Sequence, residues 1–192
     1  DIIMVGEIRD SETANLATHA SLTGHLVFST LHTNDSIGVI PRLIDLGVEK
    51  YLIAPTLNLA MAQRLLRRLC PVCKVRSKPS SAEEKIITET ISQMPEDVRK
   101  GLPQSFVSYK ASEKGCAECN GKAYKGRIAI FEVFEINDEV EKIVLTNLSE
   151  VSLREEAKRQ GMLTMFQDGI LKVIEGMVSV EELLEVAEIG NA

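Results

Sequence analysis

The N-terminal part of the chain alternates between short apolar runs and one helical segment. Residues 1–6 form an apolar run that predicts a buried strand, and residues 25–30 predict a second strand. Between them, small and apolar side chains over residues 11–23 predict a helix that Asp10 or Ser11 caps. The order strand, helix, strand predicts a right-handed βαβ unit whose strands end at one edge of a parallel sheet.

A polar side chain follows each of the two predicted strands. Glu7 follows the first strand and His32 lies in the polar loop after the second, so we expect both at the same sheet edge. A carboxylate at this place can orient or partly deprotonate the water that attacks a γ-phosphate. Taken singly, each residue is also typical of an exposed carboxylate or of a hydrogen-bonded loop histidine. The run of residues around them is more specific than either residue alone.

The later part of the chain shows helical periodicity. Residues 82–94 carry isoleucines at helical spacing, which predicts a helix that ends before Pro95. From residue 137 onward, apolar side chains recur every three or four positions, which predicts amphipathic helices. Ser149 and Ser179 stand where N-caps of two of these helices are expected.

Composition and net charge restrict the function classes. The 192 residues are 44% hydrophobic and 26% charged, as in an ordinary folded domain. No apolar run approaches the length of a membrane span, and no targeting peptide is recognisable, so we expect a cytoplasmic protein without a transmembrane segment. The net charge of −6 argues against nucleic acid as the main partner. A zinc-ribbon nucleic-acid binder is the weakest alternative, because Trp is absent and residues 52–105 lack Phe and Tyr.

Charge is distributed unevenly along the chain. Residues 51–82 contain no acid, and their bases are Arg64, Arg67, Arg68, Lys74, Arg76 and Lys78. Such a segment indicates an acidic or phosphate-bearing partner, or a helix end that faces an acidic neighbour. The C-terminal part is acidic instead, which predicts a solvated helix face or a partner for the basic segment. Its acids are Glu175, Glu181, Glu182, Glu185 and Glu188.

The four cysteines form two C-x₂-C pairs. Cys70 and Cys73 make the first pair, and Cys116 and Cys119 make the second. Two such thiolate pairs predict a tetrahedral S₄ site, which suits Zn²⁺. Four protein ligands leave no open position for substrate, so the predicted role of the metal is structural. Disulfides and free thiols are the alternatives, and a reducing compartment disfavours the disulfides.

Residues 3–35, read as one run, resemble the Walker B and His boxes of the secretion ATPase superfamily, the hexameric motors of type II secretion and type IV pilus assembly. The similarity continues through residues 41–48 and 62–70. The positions that match in order and spacing within the first run are Glu7, Arg9, Asp10, Thr13, 23–25 and 30–33.

The resemblance implies an α/β fold in three consecutive parts. Residues 1–69 would be part of a RecA-like P-loop NTPase core with parallel strands, residues 70–130 a tetracysteine metal-binding subdomain, and residues 131–192 a helical subdomain. It also implies that Glu7 activates water and that His32 contacts the γ-phosphate region and couples it to domain movement. Candidates for nucleotide or subunit-interface contacts, where arginine can bind phosphate oxygens bidentately, are Arg9, His25, Arg42, Arg64 and Arg67.

The function that the resemblance implies is that of a motor subunit that hydrolyses ATP with Mg²⁺. Such a subunit would form a homo-hexamer and work with an inner-membrane platform protein, peripherally at the cytoplasmic face of the inner membrane. Tetracysteine subdomains are typical of the assembly members rather than the retraction members of this superfamily. No GxxxxGK[ST] loop occurs in the chain, so we expect a fragment that binds ATP poorly by itself. The alternative is a zinc-stabilised module that docks to the platform protein without nucleotide chemistry.

The segment after the second cysteine pair departs from the family pattern. Residues 122–132 resemble the GYxGRxGIxE run of these proteins, but Ala123 and Ala129 stand where Gly is usual. The additional Cβ atoms bear on turn geometry and leave the metal assignment unchanged.

Overall fold

The computed structural model describes residues 1–103 and 105–187. In chain order, the elements of the first half are β1 (Ile2–Met4), α1 (Ser11–Leu22), β2 (Leu26–Phe28), α2 (Val39–Asp45), α3 (Lys50–Thr56), β3 (Leu59–Leu69), β4 (Val75–Ser77), α4 (Ser81–Gln93) and α5 (Glu96–Lys100). The elements of the second half are β5 (Ser108–Lys110), a 3₁₀ turn (Ala117–Cys119), β6 (Tyr124–Glu135), α6 (Asp138–Thr146), α7 (Glu150–Arg159), α8 (Met165–Ile174) and α9 (Val180–Val186).

The chain folds into two compact units. Unit 1 contains residues 1–62 and 133–160, and unit 2 contains residues 63–132 and the chain from residue 161 onward. The division into three consecutive subdomains stays a prediction, and residues 188–192 of the third, Glu188 included, lie outside the described residues. Among the described helices, none combines the length and hydropathy needed to cross a bilayer.

The predicted strand, helix, strand order is confirmed in unit 1. Strands β1 and β2 pair in parallel, with Ile2 opposite Leu26 and Met4 opposite Phe28. Helix α1 begins after Asp10, whose side chain accepts a hydrogen bond of 2.8 Å from the backbone N–H of Thr13.

The prediction that β1 is buried is wrong. The side chains of Ile2 and Met4 are 71% and 68% exposed, and their partners Leu26 and Phe28 are 50% and 52% exposed. Because opposite residues of paired strands lie on the same face, these four apolar side chains form one surface of the small sheet. The apolar run therefore marks a strand correctly, but no described residue covers this face.

Two long strands form a ribbon that the pattern of apolar and polar residues does not predict. Strand β3 pairs with β6. Backbone hydrogen bonds flank the pairing, from Ile136 N to Asn58 O at 3.0 Å and from Cys70 N to Ala123 O at 2.9 Å. The basic residues at 64–68 lie on β3, so the interpretation of this segment as a helix end is wrong.

Unit 2 has a core between its helices and the strand ribbon. The predicted helix over 82–94 is confirmed as α4, which Ser80 and Glu83 begin with a capping box. The expected N-caps Ser149 and Ser179 are also confirmed on α7 and α9. Gly169 of α8 packs so closely on α9 that a Cβ there would overlap Leu183. Core side chains of this unit include Leu66, Ile87, Ile130, Phe166, Ile170 and Leu183.

Candidate functional site

The parallel strands of unit 1 bring Glu7 and His32 together at their carboxyl ends. Ile8 N donates to Thr30 O at 2.9 Å, and the Thr30 hydroxyl donates to Gly6 O at 2.8 Å, so the two strand ends are tied to each other. His32 Nε2 lies 3.0 Å from Glu7 Oε2. The expected proximity is observed, and the catalytic role of the two side chains stays a prediction.

Arg9 shares the same carboxylate oxygen. Its Nε donates to Glu7 Oε2 at 2.6 Å. The hydrogen bonds from His32 and then Arg9 hold the pKa of Glu7 below its ordinary 4.5, against a smaller opposing effect of desolvation. Glu7 is therefore a carboxylate at neutral pH. Its Oε1 accepts no hydrogen bond from the described residues, so it can accept one from a water molecule.

The loop after His32 is held by a residue pair that the sequence pattern does not indicate. Asp35 Oδ1 accepts from Gly38 N at 2.8 Å, and Asp35 Oδ2 accepts from Arg154 Nη2 at 2.7 Å. Arg154 lies on α7, far from Asp35 along the chain. An arginine on a predicted amphipathic helix carries no signal of such a contact, because only folding brings the two positions together.

The other candidate residues of unit 1 lie apart from the carboxylate of Glu7. His25 Nδ1 lies 3.2 Å from both Ala20 O and the Thr23 hydroxyl, where it closes the C-terminal end of α1. Arg42 lies on α2 and forms no ion pair with a described residue. Of the predicted nucleotide or interface candidates, Arg9 is therefore the one that contacts Glu7.

In unit 2, the candidates Arg64 and Arg67 have different surroundings. Arg64 is exposed on β3, and its only polar contact among the described residues is a long one of 3.4 Å to Gln63 O. The backbone N–H and the Nε of Arg67 donate to the two carboxylate oxygens of Glu182 at 2.8 and 2.7 Å. Its guanidinium lies 4.5 Å from the ring centre of Tyr124. Acids of the C-terminal part thus partner the basic segment, Glu182 closely and Glu185 at 3.4 Å, as one of the two alternatives predicts.

We expect the Glu182→Gln variant to unfold more easily at neutral pH. The side chain of Glu182 is 3% exposed; burial raises its pKa, but hydrogen bonds from Arg67 outweigh burial and leave the pKa below the ordinary 4.5. A carboxylate with a lowered pKa stabilises the fold above the unfolded-state value, and this contribution is lost as pH falls through the folded-state value. Urea unfolding at pH 7 should show that the free energy of unfolding of the variant is lower than that of wild type by about 1–3 kcal/mol.

The matched control for this prediction is Glu185→Gln. Glu185 also faces Arg67, at 3.4 Å, but its side chain is 68% exposed, so we expect a change within about 0.5 kcal/mol. The difference between wild type and Glu182→Gln should shrink below pH 4.5. Equal stability of the two proteins at pH 7 would contradict a stabilising role of this ion pair.

The four cysteines of unit 2 converge to one cluster. None forms a disulfide, and the four sulfur atoms all lie within 4.8 Å of one another. Neighbouring sulfurs are 3.7 to 3.8 Å apart in the pairs Cys70/Cys116, Cys73/Cys119 and Cys116/Cys119. A tetrahedron with metal–sulfur bonds of about 2.3 Å has sulfur–sulfur edges of about 3.8 Å. The cluster therefore fits a single tetrahedral metal ion.

The thiols of this cluster differ in how easily they ionise. The backbone N–H of Cys116 and, after the opposing effect of burial, that of Ala123 lower the pKa of Cys119 to about 6. Burial and the neighbouring thiols raise the pKa of Cys73 to about 12. Four thiolates at this spacing repel one another, so the full donor set requires a cation to neutralise it.

Ala123 connects the two cysteine pairs through a left-handed backbone. Its N–H donates to Cys119 Sγ at 3.2 Å and its carbonyl accepts from Cys70 N at 2.9 Å, while its φ is +61°. A Cβ is disfavoured in this conformation, whereas Gly adopts it freely. This is the physical reason why a Gly would suit the position.

We expect Ala123→Gly to raise the free energy of unfolding by about 1 kcal/mol. Ala129→Gly is the matched control, because Ala129 lies in β6 without a positive φ. Gly within a strand costs conformational entropy, so the free energy of unfolding of the control should fall by about 0.5–1 kcal/mol. Urea unfolding of both variants with metal retained measures the two effects, and a loss of stability in both would contradict the backbone argument.

Comparison with known proteins identifies relatives over nearly the whole chain. Residues 1–185 match the family model described as type II/IV secretion system protein. The chain is 42% identical over 187 residues to the type IV pilus assembly ATPase PilB of Myxococcus xanthus, covering 96% of this chain and 31% of that protein. It is 40% identical over 186 residues to the type II secretion system protein E of Pseudomonas aeruginosa, covering 97% and 34%. The chain spans about a fifth to a third of the length of the curated relatives it matches.

Solved structures show a similar fold. The pilus retraction motor PilT with bound ADP aligns with 100% of this chain and 40% of its own, at a TM-score of 0.61 and 23% identity. The ATPase DotB of Legionella pneumophila aligns with 96% of this chain and 37% of its own, at a TM-score of 0.59 and 22% identity. The α/β fold agrees with the one predicted, and parallel strands are present in part. With the family model matched over residues 1–185, the chain belongs to the type II/IV secretion system protein family.

Proposed function

We propose that the 192 residues form part of an ATP-hydrolysing motor subunit for pilus assembly or type II secretion. The contact between Glu7 and His32 at the ends of two parallel strands carries this proposal. Relatives at 40% and 42% identity are named as a secretion protein of this kind and a pilus assembly ATPase, which supports it. Because the chain spans only part of these relatives, the activity belongs to the longer protein.

Glu7 positions the attacking water in this proposal. Its free oxygen Oε1 accepts a hydrogen bond from the water, which then attacks the γ-phosphorus while the bond to the β–γ bridging oxygen breaks. Since the pKa of Glu7 is lowered, the carboxylate is a weak base that orients the water more than it deprotonates it. ADP leaves with the electron pair of the broken bond, and the proton of the attacking water passes to an oxygen of the released phosphate.

His32 has two roles in the same step. A carboxylate can only accept hydrogen bonds. The His32 Nε2 that faces Glu7 Oε2 therefore carries a hydrogen and donates a hydrogen bond to that oxygen. This bond holds the carboxylate in place. The His32 side chain is also 77% exposed, so it can approach the γ-phosphate of a bound nucleotide.

Groups outside this chain complete the nucleotide site. No GxxxxGK[ST] loop occurs in the 192 residues, so we propose that this chain alone binds ATP weakly and does not turn it over. Glu7 is already paired with Arg9 and His32, which does not fit a magnesium ligand set. We therefore assign Mg²⁺ to the phosphates of the nucleotide and to residues of the longer protein.

The cysteine cluster is proposed to hold structural zinc. Four thiolates at tetrahedral spacing fit Zn²⁺, and a closed set of four leaves no position for substrate. The cluster supports a motor of the assembly or secretion class rather than the retraction class. We also propose that the motor subunit forms a homo-hexamer and works with an inner-membrane platform protein. It would lie peripherally at the cytoplasmic face of the inner membrane.

ATP hydrolysis by the longer parent protein tests this function. The proposal requires phosphate release that depends on Glu7, and it requires that the 192-residue chain alone release none. A metal-loaded parent protein that hydrolyses no ATP, yet binds a platform protein, would support the docking module instead.

A further inference from the structure

We infer that Asp35 and Arg154 form a positioning pair that holds the His32 loop in the geometry needed for hydrolysis. The inference rests on the proposed function of Glu7 and His32, and it adds two residues that do not touch the reacting atoms. All of these residues lie in unit 1.

Asp35 organises the loop from within. It lies three residues after His32, and its Oδ1 accepts from Gly38 N at 2.8 Å, just before α2. Its backbone carbonyl accepts from the Thr33 hydroxyl at 2.8 Å. These two hydrogen bonds close the loop on itself, but neither of them connects it to the rest of the unit.

Arg154 supplies that connection. Its Nη2 donates to Asp35 Oδ2 at 2.7 Å and to Glu150 Oε1, also at 2.7 Å. Helix α7 is a firm anchor, since its residues Leu153 and Ala157 are 0% and 1% exposed. The ion pair is partly shielded from water, with the Asp35 side chain 22% exposed, so it is stronger than a fully exposed pair.

His32 needs an anchor of this kind. Its side chain is 77% exposed, and Glu7 is its one hydrogen-bonding partner among the described residues, so packing does not hold the ring. Each loop residue that must be ordered costs conformational entropy. An ion pair to a rigid helix restricts the loop before the reaction begins, so His32 stays beside Glu7 for a larger fraction of the time.

Two single variants and their combination in the parent protein test the pair. Asp35→Asn keeps an oxygen for Gly38 N but removes the charge, and Arg154→Met removes the donor. We expect each to lower kcat about 10-fold with the KM for ATP within about 2-fold, since the loop orients groups for the chemical step. The double variant should be no slower than the slower single variant, because both substitutions remove one and the same link.

The matched control is Lys158→Met. Lys158 is an exposed cation on the same helix α7 and forms no ion pair among the described residues, so its kcat should stay within about 2-fold of wild type. Wild-type kcat in Asp35→Asn and Arg154→Met would overturn the inference, as would losses that multiply to about 100-fold in the double variant. If Glu7→Gln still abolishes turnover in those cases, the proposed function stands without the positioning pair. If Glu7→Gln leaves turnover intact, the proposed function itself fails.

Hydrogen exchange provides a readout that does not depend on activity. In the parent protein, Arg154→Met and Asp35→Asn should speed amide exchange in residues 31–38, and Lys158→Met should not. Unchanged exchange in that loop would overturn the inference even if kcat falls, because the loss would then have another cause.

Discussion

Replacing Glu7 with Gln in the parent protein is expected to lower the kcat for ATP hydrolysis by about 10²-fold or more. The amide has nearly the same size as the carboxylate, so the site keeps its shape. It carries no negative charge and is a far weaker acceptor for the protons of the attacking water. Its NH₂ group accepts no hydrogen bond, so when its one oxygen pairs with Arg9 and His32, no oxygen is left for the water. Steady-state phosphate release measures the effect.

ATP binding should survive this substitution, because the proposed function assigns the phosphate-binding groups to other parts of the longer protein. Titration with a non-hydrolysable ATP analogue should give a Kd within about 3-fold of wild type. Glu12→Gln is the matched control, since Glu12 is an exposed acid in the first turn of α1, and its kcat should change less than about 2-fold. A loss of analogue binding in place of a loss of kcat would assign Glu7 a binding role and contradict the mechanism.

Removing the proposed zinc from the cysteine cluster is expected to destabilise unit 2 by several kcal/mol. Zinc binding in zinc-finger peptides is worth about 10–16 kcal/mol at neutral pH, and less is expected here because unit 2 also has an apolar core. Without a cation, the buried side chains of Cys70 and Cys119 lose their bonds to the metal, and thiolates that remain in the cluster repel one another. Metal analysis of the wild-type chain should find one zinc per chain, and urea unfolding with and without a chelator measures its contribution.

The Cys119→Ser variant tests the same site without a chelator. It should bind less than one zinc per chain and unfold at a lower urea concentration than wild type. Val72→Ala is the matched control, because Val72 lies between two of the ligands but its side chain is 69% exposed. This control should keep its zinc and change stability by less than about 0.5 kcal/mol. A metal-free wild-type chain as stable as the loaded one would show that the cluster does not hold the fold together.

Features with a local physical cause were predictable from the sequence. The N-cap Asp10 and the caps Ser149 and Ser179 follow from side-chain oxygens placed just before apolar helical periodicity. The proximity of Glu7 and His32 follows from the rule that parallel strands end at one edge. Convergence of the four cysteines follows from the two C-x₂-C pairs, since each pair brings two thiolates to one side of a short turn.

The strand ribbon was missed for a different reason. Strands β3 and β6 lack a clean alternation of apolar and polar residues, because long basic side chains occupy several exposed positions of β3. The run of arginines suggested a helix end by its charge alone. Only pairing with β6, which is distant along the chain, satisfies the backbone of β3 and reveals it as a strand.

The burial of the first strand and the partners of the arginines depended on tertiary structure. The sequence pattern alone predicts the first strand–helix–strand unit, helix α4, the caps of α1, α7 and α9, the edge that Glu7 and His32 share and the four-thiol cluster. Each of these follows from residues close together in the chain, from the rule for parallel strand ends or from paired C-x₂-C spacing. The exposure of Ile2 and Met4, the clamp of Arg67 on Glu182 and the pairing of Asp35 with Arg154 were decided by folding alone. A charged or apolar side chain has many partners available to it, and the packing of distant segments selects one of them.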